Sequence, residues 1–456
     1  MLRFAAAALS LFLVSNGVGY SALGATGGDE FDFARNIRPE TFTLDNGMQV
    51  LVISDHRVPV ATHMLWYRIG AADEVAGKSG LAHFFEHLLF KGTKAVPDAQ
   101  YSNIVERNGG QVNAMTSWDF TAYFARVAVD RLPLIMELEA DRMTGLILSE
   151  EVFLPERDVI LEERSLRVDN NPASLFREQM AAALYQNHRY GVPIIGWEHE
   201  IAALTQADAL AFYRRYYAPN NVILIISGDV TVEGIRPLVE KYYGALEPAE
   251  LPERIRAQEP AHHAEGRVVM RDARVQQPSW LRYYLVPSEN TGEPGESVAL
   301  EVLSAILGEG PRSRLHRRLV IDEARAVGVG TRYNTSTVDD TQFAVSASPR
   351  PGVTLDDIQL SIDEEIAKLI AHGVTKDEVS GAVETLLNDA IFALDSPMTL
   401  NYIFGQALTT GGTIDQVLRW PEDMRGVTVE SVNAVAQKYL MLDRAVTGRL
   451  LPQEGE

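Results

Sequence analysis

Two hydrophobic periodicities run through the chain, and the points where one gives way to the other mark its elements. Residues 40–53 read as strand, turn, strand, with Asp45-Asn46-Gly47 between two apolar alternations, a strong hairpin signal. A further alternation predicts a strand over 60–69, and a loop rich in Gly and Ala follows over 70–80. A helix is predicted to begin near Ser79, because Leu81, Phe84, Phe85, Leu88 and Leu89 recur at helical spacing. Residues 101–108 read as a helix stopped by Gly109-Gly110. Over 112–127, Val112, Ala114, Thr116, Trp118, Phe120, Ala122 and Phe124 alternate on one face, which predicts one strand or two joined by a tight turn around Ser117. Helices are predicted over 132–148, 154–168, 208–217 and 232–243, with a buried strand at 222–228.

The polar stretch 247–265 carries Pro248, Pro252 and Pro260 and reads as a linker. Beyond it, strands are predicted at 267–270 and 279–286, and helices at 297–307, 314–324, 354–372, 375–392 and 429–440. Each half closes on a helix followed by a strand: 208–217 with 222–228, then 430–439 with 445–451. An internal duplication accounts for this order, and its period is too long for a solenoid. The expected division is a first domain over 36–246, a linker over 247–266 and a homologous second domain over 267–456.

Composition agrees with a large folded chain. At roughly 100–200 residues per domain, 456 residues imply two or three domains. Apolar residues make up 46% and charged residues 23%, the balance of a globular protein. A net charge of −21 argues against nucleic-acid binding, which needs a basic footprint. With no cysteine, neither a disulfide nor a thiol nucleophile or ligand is available. At the N-terminus, Arg3 precedes an apolar run over 4–14, and the small residues Ser21, Ala22, Gly24 and Ala25 follow. This pattern predicts a secretory signal over 1–25, with an uncleaved anchor as the alternative. The run is short of the roughly 20 apolar residues a spanning helix needs, and no later segment has that length. The mature protein is expected to be exported, most simply to a periplasm, without stable membrane insertion.

His83-Phe84-Phe85-Glu86-His87 carries the chemistry. Residues four apart share a helix face, so both imidazoles can reach one ion, and Glu86 borders that face. The order H-x-x-E-H inverts the better-known H-E-x-x-H but offers the same parts: two ligands, and a carboxylate beside a metal-activated water. A catalytic zinc takes three protein ligands and keeps one position open. Glu163 is the best candidate for the third, in the predicted helix 154–168. Glu156 lies two turns earlier on the same face, whereas Glu162 points about 100° away.

The motif 83–87, the run 156–163, the segment from Gly109-Gly110 through Asn113-Ala114 and Thr116-Ser117 to Thr121 and Tyr123, and Tyr217-Ala218-Pro219-Asn220-Asn221 together resemble the pitrilysin/insulinase family of inverted-zincin metallopeptidases, in its processing-peptidase-like two-domain branch. The resemblance covers nearly all of the mature chain. It implies two homologous α+β domains, each a mixed, mainly antiparallel sheet with helices packed on it. It further implies one zinc per chain held by His83, His87 and Glu163, with Glu86 as general base and Glu156 supporting the site. The implied activity is hydrolysis of peptides or unfolded polypeptides bound as an added edge strand in a chamber, with Asn113 and Ala114 nearest the metal. A non-catalytic structural or peptide-binding subunit of the same family is the alternative.

The second half departs from the motif. Against 81–92, the segment 299–310 places Glu301, Ser304 and Ala305 where His83, Glu86 and His87 stand. In the family the second half, or a partner subunit, supplies an Arg and a Tyr to the substrate. Arg314 matches that Arg, but no Tyr lies in 326–331, and Tyr333 is out of register. The resemblance therefore implies a heterodimer with a homologous non-catalytic subunit, or else a homodimer.

Overall fold

A computed structural model describes residues 37–393 and 396–453, the side chains of 392 and 393 excepted. The expected signal segment lies outside the described residues. The first half builds β1 (Glu40–Thr43), β2 (Gln49–Ser54), β3 (Val60–Tyr67), β4 (Gln111–Thr116), β5 (Thr121–Ala128) and β6 (Val222–Gly228). Its helices are α1 (Leu81–Leu88), α2 (Gln100–Arg107), α3 (Leu132–Gly145), α4 (Glu150–Arg164), α5 (Pro172–Leu184), α6 (Glu198–Ala203), α7 (Gln206–Tyr216) and α8 (Val232–Tyr243). The second half contributes β7 (Gly266–Asp272), β8 (Ser279–Val286), β9 (Ala326–Tyr333), β10 (Thr341–Pro349) and β11 (Ala445–Pro452). Its helices are α9 (Glu296–Gly308), α10 (Leu355–His372), α11 (Lys376–Ala393), α12 (Pro397–Thr410), α13 (Ile414–Arg425) and α14 (Val429–Tyr439).

The sheets run β1-β2-β6-β3-β5-β4 and β7-β11-β8-β10-β9. β2 is parallel to β6 as β7 is to β11, and the remaining pairs are antiparallel in both sheets. The duplication is thus written in the topology, with β1 as the addition, and the fold is α+β in two similar units.

The alternation over 112–127 resolves into β4 and β5, joined by a turn in which the Ser117 amide donates to the Phe120 carbonyl at 2.8 Å. Thr116 stands opposite Thr121, so even-numbered residues of β4 share a face with odd-numbered residues of β5. The single continuous face expected from sequence therefore does not exist. Val112 and Ala114 pack on the helix side with Tyr123, Ala125 and Val127, while Met115, Ala122 and Phe124 face the other way. The helix expected over 314–324 is wound as a π-helix at His316–Asp322.

Six elements lie in segments without a predicted one: β9, β10, α5, α6, α12 and α13. Of these, α5 and α12 exchange sides. α12 lays Leu400 and Phe404 across the outer face of the first sheet, against Leu51, Met64, Trp66, Ile223 and Ile225. Conversely, α5 lays Phe176, Met180 and Leu184 on the second sheet, against Leu281, Tyr283, Leu285 and Val446. Both crossings depend on glycine. A Cβ on Gly405 would sit 2.0 Å from the Trp66 ring, and one on Gly448 would sit 2.2 Å from the Met180 sulfur.

Residues 247–265 contain no helix or strand. Arg256, in this stretch, pairs with Asp73 at 2.8 Å, with Asp119, and with Asp339 at 3.3 Å, tying loops of both halves together. Among the described residues, no helix is long and apolar enough to cross a membrane.

Candidate metal centre

α1 is short, and packing rather than length holds it. Leu81, Phe84, Phe85 and Leu88 are buried. Phe84 meets Phe153 at 4.9 Å, and Phe85 meets Tyr217 at 4.5 Å between ring centres. The helix begins at Gly80 with φ +87°, where a Cβ would lie 2.4 Å from the Ile195 carbonyl oxygen, so glycine is required on both counts. With its apolar side pinned to the core, α1 turns His83 and His87 together towards α4, their rings 5.0 Å apart.

One ligand atom each from His83, His87 and Glu163 lies within 4.8 Å of the others. His83 Nε2 is 3.7 Å from Glu163 Oε1, and His87 Nε2 is 3.3 Å from Glu163 Oε2. The other ring nitrogen of His87, Nδ1, meets Glu156 Oε1 at 3.0 Å, and Lys91 Nζ meets Glu156 Oε2 at 2.5 Å. Arg167 reaches Glu163 Oε1 at 2.5 Å. Two imidazoles and a carboxylate, with a second carboxylate fixing one imidazole, form a donor set that fits a zinc ion with a position left open.

Charge within the cluster is asymmetric. Burial, reinforced by the neighbouring His87, pushes His83 down to about 4. Burial opposes the charged form of His87 too, but Glu156 and Glu163 outweigh it and raise this ring to about 9. Burial would raise Glu163, yet the hydrogen bond from His87 and the surrounding cations bring it to about 2. Glu86 is pushed up by burial, against a hydrogen bond that the Thr116 hydroxyl donates to its Oε2 at 2.6 Å.

Not every expected residue joins this group. Ala114 lies on the α1 side of edge strand β4. Asn113 is exposed, alternates to the opposite face, and accepts a hydrogen bond from the Ala114 amide at 2.9 Å. Arg314 is engaged within the second half: its Nε donates to Glu378 at 2.6 Å and its Nη2 to the Gly373 carbonyl at 2.9 Å. Tyr333 donates to the Pro287 carbonyl at 2.8 Å. At the positions matching the motif, Glu301 accepts from Trp420 Nε1 at 3.0 Å and Ser304 donates to Glu309. Sequence reasoning overlooked Thr116, Lys91 and Arg167. Spacing could have flagged each of them: Thr116 is two residues from Ala114, Lys91 four from His87 and Arg167 four from Glu163.

Comparison with known proteins gives the family. The family described as Insulinase (Peptidase family M16) matches residues 49–198, and the Peptidase M16 inactive domain matches 203–386. The zinc protease PqqE of Helicobacter pylori is 31% identical over 91% of this chain and 93% of its own length. The chain belongs to the insulinase family of peptidases, M16. Among solved M16-like structures, a protease from Helicobacter pylori superposes with a TM-score of 0.85 at 29% identity, covering 91% of this chain and 99% of that one. The periplasmic protease PqqL of Escherichia coli shares the fold, with a TM-score of 0.77 at 21% identity. This M16 chain is covered to 91% in that match and accounts for 47% of PqqL.

Proposed function

We propose that this M16 chain is a zinc-dependent endopeptidase acting on peptides or unfolded polypeptides. The observation that carries the reading is the convergence of His83, His87 and Glu163 on one point, with the Glu86 carboxylate beside them. When bound, the zinc would supply Lewis acidity to a water and to the scissile carbonyl. Glu86 then takes the proton from the attacking water and returns it to the leaving amine. Thr116 holds Glu86 Oε2, which leaves Oε1 for this transfer. Edge strand β4 offers its free side to an extended substrate, and main-chain pairing of that kind reads sequence weakly.

The test is zinc content and peptide cleavage of the wild type against Glu86→Gln. Retained zinc with lost cleavage is expected. Unchanged cleavage removes Glu86 from the mechanism, and absence of zinc in both favours the non-catalytic alternative.

We further infer that the enzyme is completed by a second two-domain subunit, a non-catalytic homologue or, failing that, a second copy. Arg314 and Tyr333 are both engaged within their own half, and the match to half of PqqL supports a pairing of two such units. The isolated chain should be weakly active and gain activity when the partner is added; full activity as a monomer would refute this. Export to the periplasm is proposed from the N-terminal pattern, and N-terminal sequencing of the mature protein tests it.

A further inference from the structure

The two imidazoles of the candidate centre are supported unequally. His87 has its Nδ1 held by Glu156, whereas His83 Nδ1 is buried with no partner among the described residues. The direction of the His83 ring therefore rests on the seat of the helix that carries it. His83 is the third residue of α1, and its position follows the first turn directly.

That first turn is held from outside the helix. Glu74 is 6% exposed. Its Oε2 accepts from the Gly80 amide at 3.0 Å, and its Oε1 accepts from the Ala82 amide at 2.7 Å. Both oxygens are thus committed to the turn that ends at His83. Gly80 offers no side-chain cap of its own. Glu200 Oε2 takes the preceding amide, that of Ser79, at 2.7 Å.

The same turn touches the support of the third ligand. A Cβ on Gly196 would lie 2.6 Å from the Gly80 Cα, so the two backbones are in contact. Arg164, the neighbour of Glu163, donates Nη1 to the Gly196 carbonyl at 2.7 Å. The 195–197 segment therefore touches both the start of α1 and the end of α4.

We propose that Glu74 is a positioning residue that holds the first turn of α1 so that His83 meets Glu163 at a common metal. The proposal rests on the zinc reading above. The experiment measures zinc affinity by chelator competition in the full chain for the wild type, Glu74→Ala, Glu74→Gln and the control Asn46→Ala. Asn46 is a buried polar residue of the same half that donates to the Tyr243 carbonyl at 2.8 Å, away from α1. Removing an outer support of a metal ligand typically weakens binding by about 10–100-fold, and that loss is expected for Glu74→Ala. Glu74→Gln keeps one acceptor, should fall between, and remains informative if the alanine variant does not fold. Asn46→Ala should lower the Tm without moving the zinc affinity. Zinc affinity within about twofold of wild type in both Glu74 variants would overturn the proposal, as would an equal loss in Asn46→Ala at matched Tm. A wild-type chain that binds no zinc would overturn the zinc reading itself, a distinct result.

Discussion

Replacing Glu139 by glutamine is expected to destabilise the first half severely. Glu139 on α3 is fully buried, and Arg142 is 3% exposed. Arg142 donates Nε and Nη2 to the two carboxylate oxygens at 2.8 and 2.7 Å, and Tyr101 donates its hydroxyl to the same carboxylate. The guanidinium lies 4.2 Å from the centre of the Tyr101 ring and 4.8 Å from those of Phe90 and Tyr123. Tyr123 in turn donates to the Phe85 carbonyl of α1 at 3.4 Å. Removing one partner of a buried pair costs about 3–5 kcal/mol, because the other charge is left in a medium that cannot solvate it. At ~2–4 °C per kcal/mol for a domain of this size, the Tm should fall by roughly 6–20 °C. The double variant Glu139→Leu/Arg142→Met removes both charges and should recover most of that loss. Burial alone would raise the Glu139 carboxyl, but Arg142 outweighs it and holds the group below its usual value. Its contribution is therefore present above the unfolded-state carboxylate pKa and lost as pH falls through the lower folded value. Urea unfolding of wild type, single and double variants across pH is the assay. A double variant no more stable than Glu139→Gln, or a single variant as stable as wild type, would refute the reasoning.

In the metal-free chain, a ring-selective NMR titration should find His87 changing charge near 9 and His83 near 4. Zinc binding near neutrality then displaces a proton from His87, so affinity weakens as pH falls; two rings titrating together near 6.5 would contradict this. Thr116→Val removes the hydrogen bond that favours ionised Glu86, so the acid limb of the kcat/KM profile should move to higher pH, and an unmoved limb would show that the contact has no influence on the base. Gly405→Ala places a methyl against Trp66 and should cost about 1–3 kcal/mol with a change in tryptophan fluorescence; an unaltered melting curve would mean that α12 shifts freely.

Helix α1 and its paired histidines were legible because their logic is local. An i, i+4 pair of histidines and an apolar opposite face lie within a few residues of each other, and no distant partner is needed to read them. Glu163 and Glu156 followed from the same periodicity on a second helix. The contact between Thr116 and Glu86 was within reach of the same logic, since Thr116 alternates with Ala114 on one face of β4; what was not legible is the facing of β5, whose parity the turn at 117–120 reverses. α5 and α12 escaped notice for another reason. Their apolar residues complete the opposite half, and a sequence pattern says which face is buried but not against what. Arg314 shows the converse: its position in the chain matched a functional residue, while its bidentate pairing with Glu378 could only be seen in three dimensions.

The exchange of α5 and α12 bears on how such a chain is made. Trp66, Ile223 and Ile225 emerge early in synthesis, yet Leu400 and Phe404, which cover them, emerge close to the end. Until then the outer face of the first sheet is an uncovered apolar surface, the kind that aggregates or recruits a holdase. A ribosome that has released every residue of the candidate centre has not yet released the helix that completes its domain. A nonsense codon just after residue 393 would thus spare every residue of the candidate centre and still leave that sheet face bare.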